Sequence, residues 1–185
     1  NPGGHKAYVK HIRAMVQSCQ ASLAMAPAVY AGLLDEVVEG LDLAFVGSPE
    51  AFDALPQQQG ELQPMQSDEL AYLQYTSGST RFPRGVMITQ RQVLSNLAGI
   101  ITEGMEMRTT DRCVSWLPFY HDLGLVGLVL VPLASQVTVD YLGTREFAMR
   151  PKQWLTLMSR NKATTSISPP FGYELCNRRL REGEA

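Results

Sequence analysis

Short apolar runs alternate along this chain with stretches in which apolar residues recur at helical spacing. Runs typical of strands occupy residues 22–25, 41–46, 70–75, 86–88, 112–117, 136–142 and 163–168. Helical spacing predicts helices over residues 5–17, 27–38, 121–131 and 169–180, with two more that begin near residues 89 and 151. Because strands that alternate with helices indicate βαβ units, the sequence predicts an α/β fold. We expect a mostly parallel sheet with helices on both faces.

A polar stretch over residues 48–69 interrupts this alternation. It contains Pro49, Pro56 and Pro64 and a run of glutamines, and we expect a surface connection that leads into the strand at Leu70. The 185 residues suffice for one domain with a sizeable core or for two small subdomains. We predict a single α/β unit over residues 1–185.

Composition and charge narrow the functional classes. Hydrophobic residues make up 45% and charged residues 18% of the chain, which is typical of a globular protein. The net charge of −2 indicates neither a nucleic-acid partner nor an anionic membrane surface. No apolar run approaches a transmembrane span, and the N-terminus lacks the pattern of a signal peptide. Cys19, Cys113 and Cys176 show no zinc or redox spacing, so we expect buried thiols in a reducing compartment, the cytoplasm.

The most informative stretch follows the strand predicted at 70–75. Residues 76–80 read Thr-Ser-Gly-Ser-Thr, and Arg81, Pro83, Arg84 and Gly85 come directly after them. Small hydroxyl residues and glycine allow backbone N–H and side-chain O–H groups to converge, and such donors beside guanidinium groups suit a phosphate chain. A solvated loop is the alternative for any short piece of this string. The Walker A pattern does not occur in the chain.

The string YTSGSTRFPRGV at residues 75–86 resembles the phosphate-binding signature of adenylate-forming enzymes, which include acyl-CoA synthetases, nonribosomal adenylation domains and luciferases. Their usual form is YTSGSTG-x-P-K-G-V, so Arg81 replaces a glycine and Arg84 a lysine. Arg81 and the segment WLPFYHDLG at residues 116–124 are similar to the fatty acyl-AMP ligase branch. The resemblance covers residues 70–180. Enzymes of this family are much longer, so we expect a fragment of their N-terminal domain that lacks the downstream part.

This resemblance implies a ligase that activates a fatty acid, expected to be long-chain, with ATP. The implied product is an acyl-adenylate, from which the acyl group passes to an acyl carrier protein. The implied cofactors are ATP and Mg²⁺, whose ligands in the family lie downstream, and we expect this chain alone to be inactive. An acyl-CoA synthetase that transfers the acyl group to CoA is one alternative. A non-catalytic binding module with the same sheet is another.

The resemblance also assigns candidate residues. The phosphate-binding residues would be Thr76, Ser77, Gly78, Ser79, Thr80, Arg84 and Gly85. The catalytic candidate is His121, which would contact the acyl carboxylate or the adenylate phosphate. The alternative is a structural histidine that stacks on Phe119 or Tyr120 or donates to a backbone carbonyl. Asp122 would either orient the imidazole or cap the following helix, and we favour capping.

A third motif matches the family region that lines the acyl and adenine pockets, and its residues are Pro169, Phe171, Gly172 and Tyr173. Core packing is the alternative for Phe171 and Tyr173. This motif, the signature loop and His121 each follow a predicted strand. Because ligands bind beyond the carboxyl ends of parallel strands, we expect all three at one edge of the sheet.

Overall fold

The computed structural model describes residues 2–56, 60–61, 63–76 and 84–180. The chain divides into two compact units, Asn1–Gln90 and Arg91–Ala185. Among the described residues, the first unit has two two-stranded sheets and the second unit has one, and each unit has its own core. The α/β class predicted from the sequence is confirmed.

The first unit opens with helix α1 (Pro2–Ser18), which begins earlier than the predicted helix because residues 2–4 are helical as well. Strands β1 (Leu23–Met25) and β2 (Phe45–Gly47) pair in parallel, and helix α2 (Ala31–Val38) connects them after a 3₁₀ turn. This is a small βαβ unit. Its core consists of buried Ala24, Val37 and Val38, against which apolar residues of α1 pack, namely Val9, Ile12 and Val16.

The predicted polar connection over 48–69 is not irregular throughout. It begins with helix α3 (Pro49–Asp53), which the sequence analysis missed. The Ser48 Oγ accepts a hydrogen bond from the Ala51 N–H at 3.2 Å, and proline occupies the first helical position. Serine followed by proline is a helix-start signal, so this short helix could have been found.

Strands β3 (Leu70–Thr76) and β4 (Arg84–Thr89) form an antiparallel hairpin. Both strands were predicted, but their antiparallel pairing departs from the expected mostly parallel sheet. The reason is length, since a parallel pair needs a crossover of a dozen or more residues and 77–83 is too short for one. Helix α4 (Gln90–Gly99) follows β4 directly and continues as a π-helical turn over Ile100–Gly104.

The second unit contains a parallel arrangement around strand β5 (Arg112–Ser115). Strand β6 (Thr138–Tyr141) pairs with β5 on one side, and Thr165 forms a parallel bridge to Cys113 on the other. The strand expected over 163–168 is therefore reduced to a single bridge. Helices α5 (Asp122–Leu125) and α6 (Val131–Ser135), joined by a π-helical turn, connect β5 to β6 and extend beyond the predicted helix.

Helices α7 (Thr144–Met149), α8 (Lys152–Asn161) and α9 (Pro170–Arg179) complete the second unit, and α7 was not predicted. Trp116 stacks on Phe147 with ring centroids 3.8 Å apart, and Trp154 meets both rings edge-on. The Trp154 indole N–H donates to Ser166 Oγ at 2.9 Å. Large buried aromatic rings contribute most to such a core, so this cluster anchors the unit.

The three cysteines are free thiols, as expected, but only Cys113 and Cys176 are buried, whereas Cys19 is partly exposed. Burial raises the pKa of the Cys113 thiol to about 11, so this thiol stays protonated at neutral pH. No helix in the described part of the chain is long and apolar enough to cross a membrane.

Candidate functional site

Two of the three sequence motifs meet at the carboxyl edge of the second unit's sheet. The segment that carries His121 leaves this edge after β5, and the segment that begins at Pro169 follows the bridge at Thr165. The Phe171 ring meets the Trp116 ring edge-on at 5.7 Å. The shared edge expected for these two motifs is therefore present.

His121 is the residue that caps the N-terminus of α5, and Asp122 is the first residue of that helix. The His121 Nδ1 lies 2.7 Å from the Asp122 Oδ1 and 3.2 Å from the Leu123 N. The Asp122 Oδ1 also accepts a hydrogen bond from the Leu123 N–H at 2.8 Å. Asp122 is thus placed both to cap the helix and to orient the imidazole.

The proton on His121 can be assigned from these distances. An unprotonated Nδ1 at 2.7 Å from a carboxylate oxygen would bring two lone pairs together, whereas an Nδ1–H donates to that oxygen. The Leu123 N–H is already satisfied by Asp122, so it does not need the imidazole as an acceptor. Nδ1–H therefore pairs with Asp122, and Nε2 is left for another partner. The imidazole side chain is 58% exposed, so a ligand can reach it.

Gly124 holds this turn against the strand. A Cβ on Gly124 would overlap the Pro118 carbonyl oxygen, so only glycine lets the first turn of α5 lie this close to the segment after β5. Because His121 lies between Pro118 and Gly124 in the chain, this close contact also restricts the backbone position of His121.

An apolar recess of about 190 Å³ lies beside this turn at the carboxyl ends of β5 and β6. Phe119 and Tyr141 pack edge-on there with centroids 5.0 Å apart. The Tyr141 hydroxyl donates to the Leu128 carbonyl at 2.7 Å, and burial raises the pKa of this phenol. The recess was missed from the sequence, because its walls come from two distant segments: Leu117, Pro118, Phe119, Tyr141, Leu142, Gly143 and Thr144.

The motif at 169–173 contains a buried residue and partly exposed residues. Pro169 precedes the first residue of α9, and Phe171 and Tyr173 are each about half exposed. Tyr173 packs against Trp154 with centroids 5.3 Å apart. Gly172 is buried, and a Cβ there would overlap Ser168 Oγ and lie 2.7 Å from Trp116 Cζ2. Gly172 therefore has a packing role, while the two rings each combine a core contact with an exposed part.

The signature loop belongs to the first unit. Thr76 ends β3 opposite Arg84, and Tyr75 lies opposite Gly85 in the same antiparallel register. Ser77, Gly78, Ser79 and Thr80 lie outside the described residues, so their assignment remains a prediction, as does the expectation that this loop shares an edge with the other two motifs. Arg84 is exposed, and a guanidinium in this position suits a phosphate.

A metal site is not formed by the residues described. Within residues 2–56, 60–61, 63–76 and 84–180, no group of three or more His, Cys, Asp or Glu side chains could hold a metal ion. The acids near β5 have other partners. Asp140 pairs with Arg112 through two hydrogen bonds of 2.7 and 2.9 Å, and Asp111 accepts from the Thr164 hydroxyl at 2.7 Å.

This fold, with a signature hairpin and a histidine turn at a strand end, is that of the N-terminal domain of adenylate-forming enzymes. A solved structure from a study of fatty acyl-adenylate ligases from E. coli and L. pneumophila matches it with a TM-score of 0.91 and 48% identity, over 100% of this chain and 33% of that one. Residues 6–185 match the AMP-binding enzyme family. The chain therefore belongs to the AMP-binding enzymes.

Two curated relatives illustrate the range of names in this family. A protein of Caulobacter vibrioides, named as a candidate acyl-CoA synthetase, is 41% identical over 180 residues, which are 97% of this chain and 31% of that protein. The medium-chain-fatty-acid–[acyl-carrier-protein] ligase TtuA of Teredinibacter turnerae is 40% identical over 117 residues, which are 63% of this chain and 18% of that protein. The chain spans about a third or less of the length of these relatives.

Proposed function

We propose that this chain is part of a longer ligase that activates a long-chain fatty acid with ATP and passes the acyl group to an acyl carrier protein. In the first step the fatty-acid carboxylate attacks the α-phosphate of ATP, which gives an acyl-adenylate and pyrophosphate. The observation that carries the proposal is the His121–Asp122 pair, which lies beside an apolar recess in a chain of the AMP-binding family.

His121 is the proposed catalytic residue. With Nδ1–H engaged by Asp122, Nε2 is the ring atom proposed to contact a carboxylate or phosphate oxygen. The Nδ1–H contact with Asp122 orients the ring, and the Leu123 N–H holds the Asp122 carboxylate in place before a substrate binds. Donors that are fixed in advance cost no reorganisation when negative charge develops on oxygen.

The acyl chain needs an apolar surface near the reacting carboxylate. The recess lined by Phe119 and Tyr141 starts two residues from His121, and its walls are mostly carbon. The exposed faces of Phe171 and Tyr173 add aromatic surface at the same edge, next to Pro169. These groups are the proposed acyl-binding surface of this unit. Gly172 contributes by allowing Trp116 and Ser168 to approach α9.

The signature loop is the proposed binding site for the phosphates of ATP. Its proposed ligands are Thr76, Ser77, Gly78, Ser79 and Thr80, with Arg84 in place of the usual lysine and Gly85 beside it. A guanidinium pairs with phosphate through a planar fork rather than as a point charge, so Arg84 sets a stricter geometry than lysine. When ATP is bound, it supplies the phosphorus electrophile and the pyrophosphate leaving group. Mg²⁺ is expected to accompany ATP and to take its ligands from the remainder of the enzyme.

Pyrophosphate release by the full-length enzyme tests this function. We expect release that depends on both ATP and a long-chain fatty acid, with His121→Ala reducing the rate roughly 10- to 100-fold, the equivalent of one hydrogen bond to a charged group. His11→Ala is the matched control, because His11 is an exposed histidine on α1, and it should leave the rate unchanged. Equal rates for both variants would remove His121 from the mechanism. No release by the wild-type enzyme would support a non-catalytic binding module instead.

The acceptor is tested separately. The acyl carrier protein is proposed because TtuA, by its name, ligates fatty acids to such a protein, and the same full-length enzyme should acylate a carrier protein faster than free CoA. Rapid acyl-CoA formation would favour the alternative of an acyl-CoA synthetase. The isolated chain of 185 residues should release no pyrophosphate above a control without enzyme.

A further inference from the structure

The Tyr75 side chain connects the base of the signature hairpin to helix α1. Tyr75 is the last residue but one of β3, and its hydroxyl lies 3.1 Å from the Met15 carbonyl oxygen and 2.5 Å from the Ser18 Oγ. Met15 and Ser18 belong to the last turn of α1. Carbonyl groups in a last turn have free acceptor capacity, so this is a favourable place for a phenol to bind.

The protons in this contact can be accounted for. The Met15 carbonyl already accepts from the Cys19 N–H at 3.0 Å, and its second lone pair is free for a hydroxyl. The Ser18 hydroxyl lies within 3.0 Å of the same carbonyl. Either Tyr75 donates to Met15 and Ser18 donates to Tyr75, or Tyr75 donates to Ser18 and Ser18 donates to Met15. Both arrangements use both hydroxyl protons, so the two side chains form one network.

Gly85 gives the Tyr75 ring the space for this contact. The two residues are opposite each other in the antiparallel register, and a Cβ on Gly85 would lie 3.2 Å from Tyr75 Cζ and 3.3 Å from Cε1. That is closer than almost any ordinary contact. Gly85 has no positive φ, so its lack of a side chain serves the ring rather than an unusual backbone conformation.

We propose that Tyr75 is a positioning residue for the ATP-binding loop, held by Met15 and Ser18 and seated on Gly85. The inference rests on the proposed function, because it assumes that the loop binds phosphates. Thr76 and Arg84 form the next register pair, directly beyond Tyr75 and Gly85, and the loop begins and ends with them. Because Tyr75 and Gly85 are the neighbouring pair, the contact of Tyr75 with α1 also restricts Thr76 and Arg84, the residues at the two ends of the loop.

Removing one hydroxyl tests this role in the full-length enzyme. Tyr75→Phe should lower kcat/KM for ATP about three- to tenfold, since one hydrogen bond of ordinary strength is lost, and should leave the KM for the fatty acid unchanged. Tyr8→Phe is the matched control, because Tyr8 is an exposed tyrosine on α1, and it should behave as wild type. A merely structural role would lower kcat/KM for ATP and for the fatty acid alike. That result would overturn the proposal, as would wild-type kinetics for Tyr75→Phe.

Two further variants test the network itself. Ser18→Ala should have a smaller effect than Tyr75→Phe, because the phenol keeps the Met15 carbonyl, and the double variant should be no worse than Tyr75→Phe alone. Gly85→Ala should lower kcat/KM for ATP at least as much as Tyr75→Phe does, because the added methyl group displaces the Tyr75 ring. Additive effects of Ser18→Ala and Tyr75→Phe would show that the two hydroxyls act independently and would contradict the network.

Amide hydrogen exchange separates this proposal from the proposed function. The amides of Thr76 and Arg84 should exchange faster in Tyr75→Phe than in the wild type, whether or not the enzyme is active. If the wild type forms no acyl-adenylate, the proposed function fails, and faster exchange would still support the positioning contact. Unchanged exchange at both residues would overturn the contact even in an active enzyme.

Discussion

The carboxyl edge of the second unit rests on a layer of buried aromatic rings, whereas strand β4 in the hairpin of the first unit is largely exposed. Phe147 and Trp154 are each 1% exposed, while Met87 in β4 is 67% exposed. The histidine turn therefore lies against a well-packed core, whereas the described contacts next to the signature loop are those of Tyr75 with α1 and Gly85. Substitutions in the aromatic core should consequently lower stability, whereas substitutions in the hairpin and its loop should act mainly on catalysis.

The largest effect should come from removing part of the aromatic core. Trp154→Ala should lower the free energy of unfolding by about 3–5 kcal/mol, because it leaves a cavity against Trp116 and Phe147 and strips Ser166 of its indole partner. Met87→Ala in the hairpin should change it by no more than about 0.5 kcal/mol. Denaturant unfolding of the two variants measures both, and similar losses would show that the two regions do not differ in packing.

Two helical glycines give the next contrast. Gly172→Ala in α9 should destabilise by about 1–3 kcal/mol, because the new methyl group meets the rigid Trp116 ring. Gly32→Ala in α2 should instead stabilise by about 0.5–1 kcal/mol, since no atom lies within 4 Å of the added carbon and alanine favours a helix. Melting temperatures that move in the same direction would contradict this account of the two units.

Asp122→Asn separates the two roles of the carboxylate. Asparagine caps a helix about as well as aspartate, so the melting temperature should stay close to that of the wild type. Adenylation should nevertheless fall about three- to tenfold, because a neutral amide oxygen is a weaker acceptor than a carboxylate for the Nδ1–H that orients His121. A wild-type adenylation rate together with a wild-type melting temperature would show that Asp122 only caps the helix.

The smallest effect concerns the pair Arg112–Asp140 across β5 and β6. The hydrogen bonds from Arg112 hold the pKa of Asp140 below its usual range, ahead of the weaker effect of Coulomb attraction. Because the folded-state pKa is depressed, the stabilisation is present above the unfolded value of about 3.9 and is lost as the pH falls through the folded value. Asp140→Asn should thus lower the melting temperature slightly at pH 7, and this difference should shrink as the pH falls below about 3.9. A deficit that persists in acid would contradict the pair's role.

What the sequence predicted correctly depended on local information. Strands β3 and β5, the α/β class and the meeting of the His121 and Pro169 motifs follow from apolar runs and from the geometry of parallel strands. The pairing of His121 with Asp122 was foreseeable, since the two residues are neighbours in the chain. The antiparallel hairpin could have been inferred from its short connection, as could α3 from Ser48 and Pro49.

The features that were missed depend on contacts between distant segments. The recess between Phe119 and Tyr141 exists only because β6 lies beside β5, and no local pattern encodes that neighbourhood. Likewise, Tyr75 reads from the sequence as one apolar strand residue, and its network with α1 joins positions 57 and 60 residues apart. Helix α7 is too short for its periodicity to be distinguished from a turn.

The central claim is that this chain supplies the phosphate-binding loop of an acyl-adenylate-forming ligase. The most direct test is the rate of acyl-adenylate formation by the full-length enzyme with Arg84→Ala, Arg84→Lys, Ser77→Ala, Ser79→Ala and Thr80→Ala. Each alanine variant should form acyl-adenylate about 10- to 100-fold more slowly, with Arg84→Ala at least as impaired as the others and melting temperatures unchanged. Arg84→Lys should be milder if charge suffices and severe if the planar fork is needed. Wild-type rates in all the alanine variants would mean that the loop is structural, and the claim would be wrong.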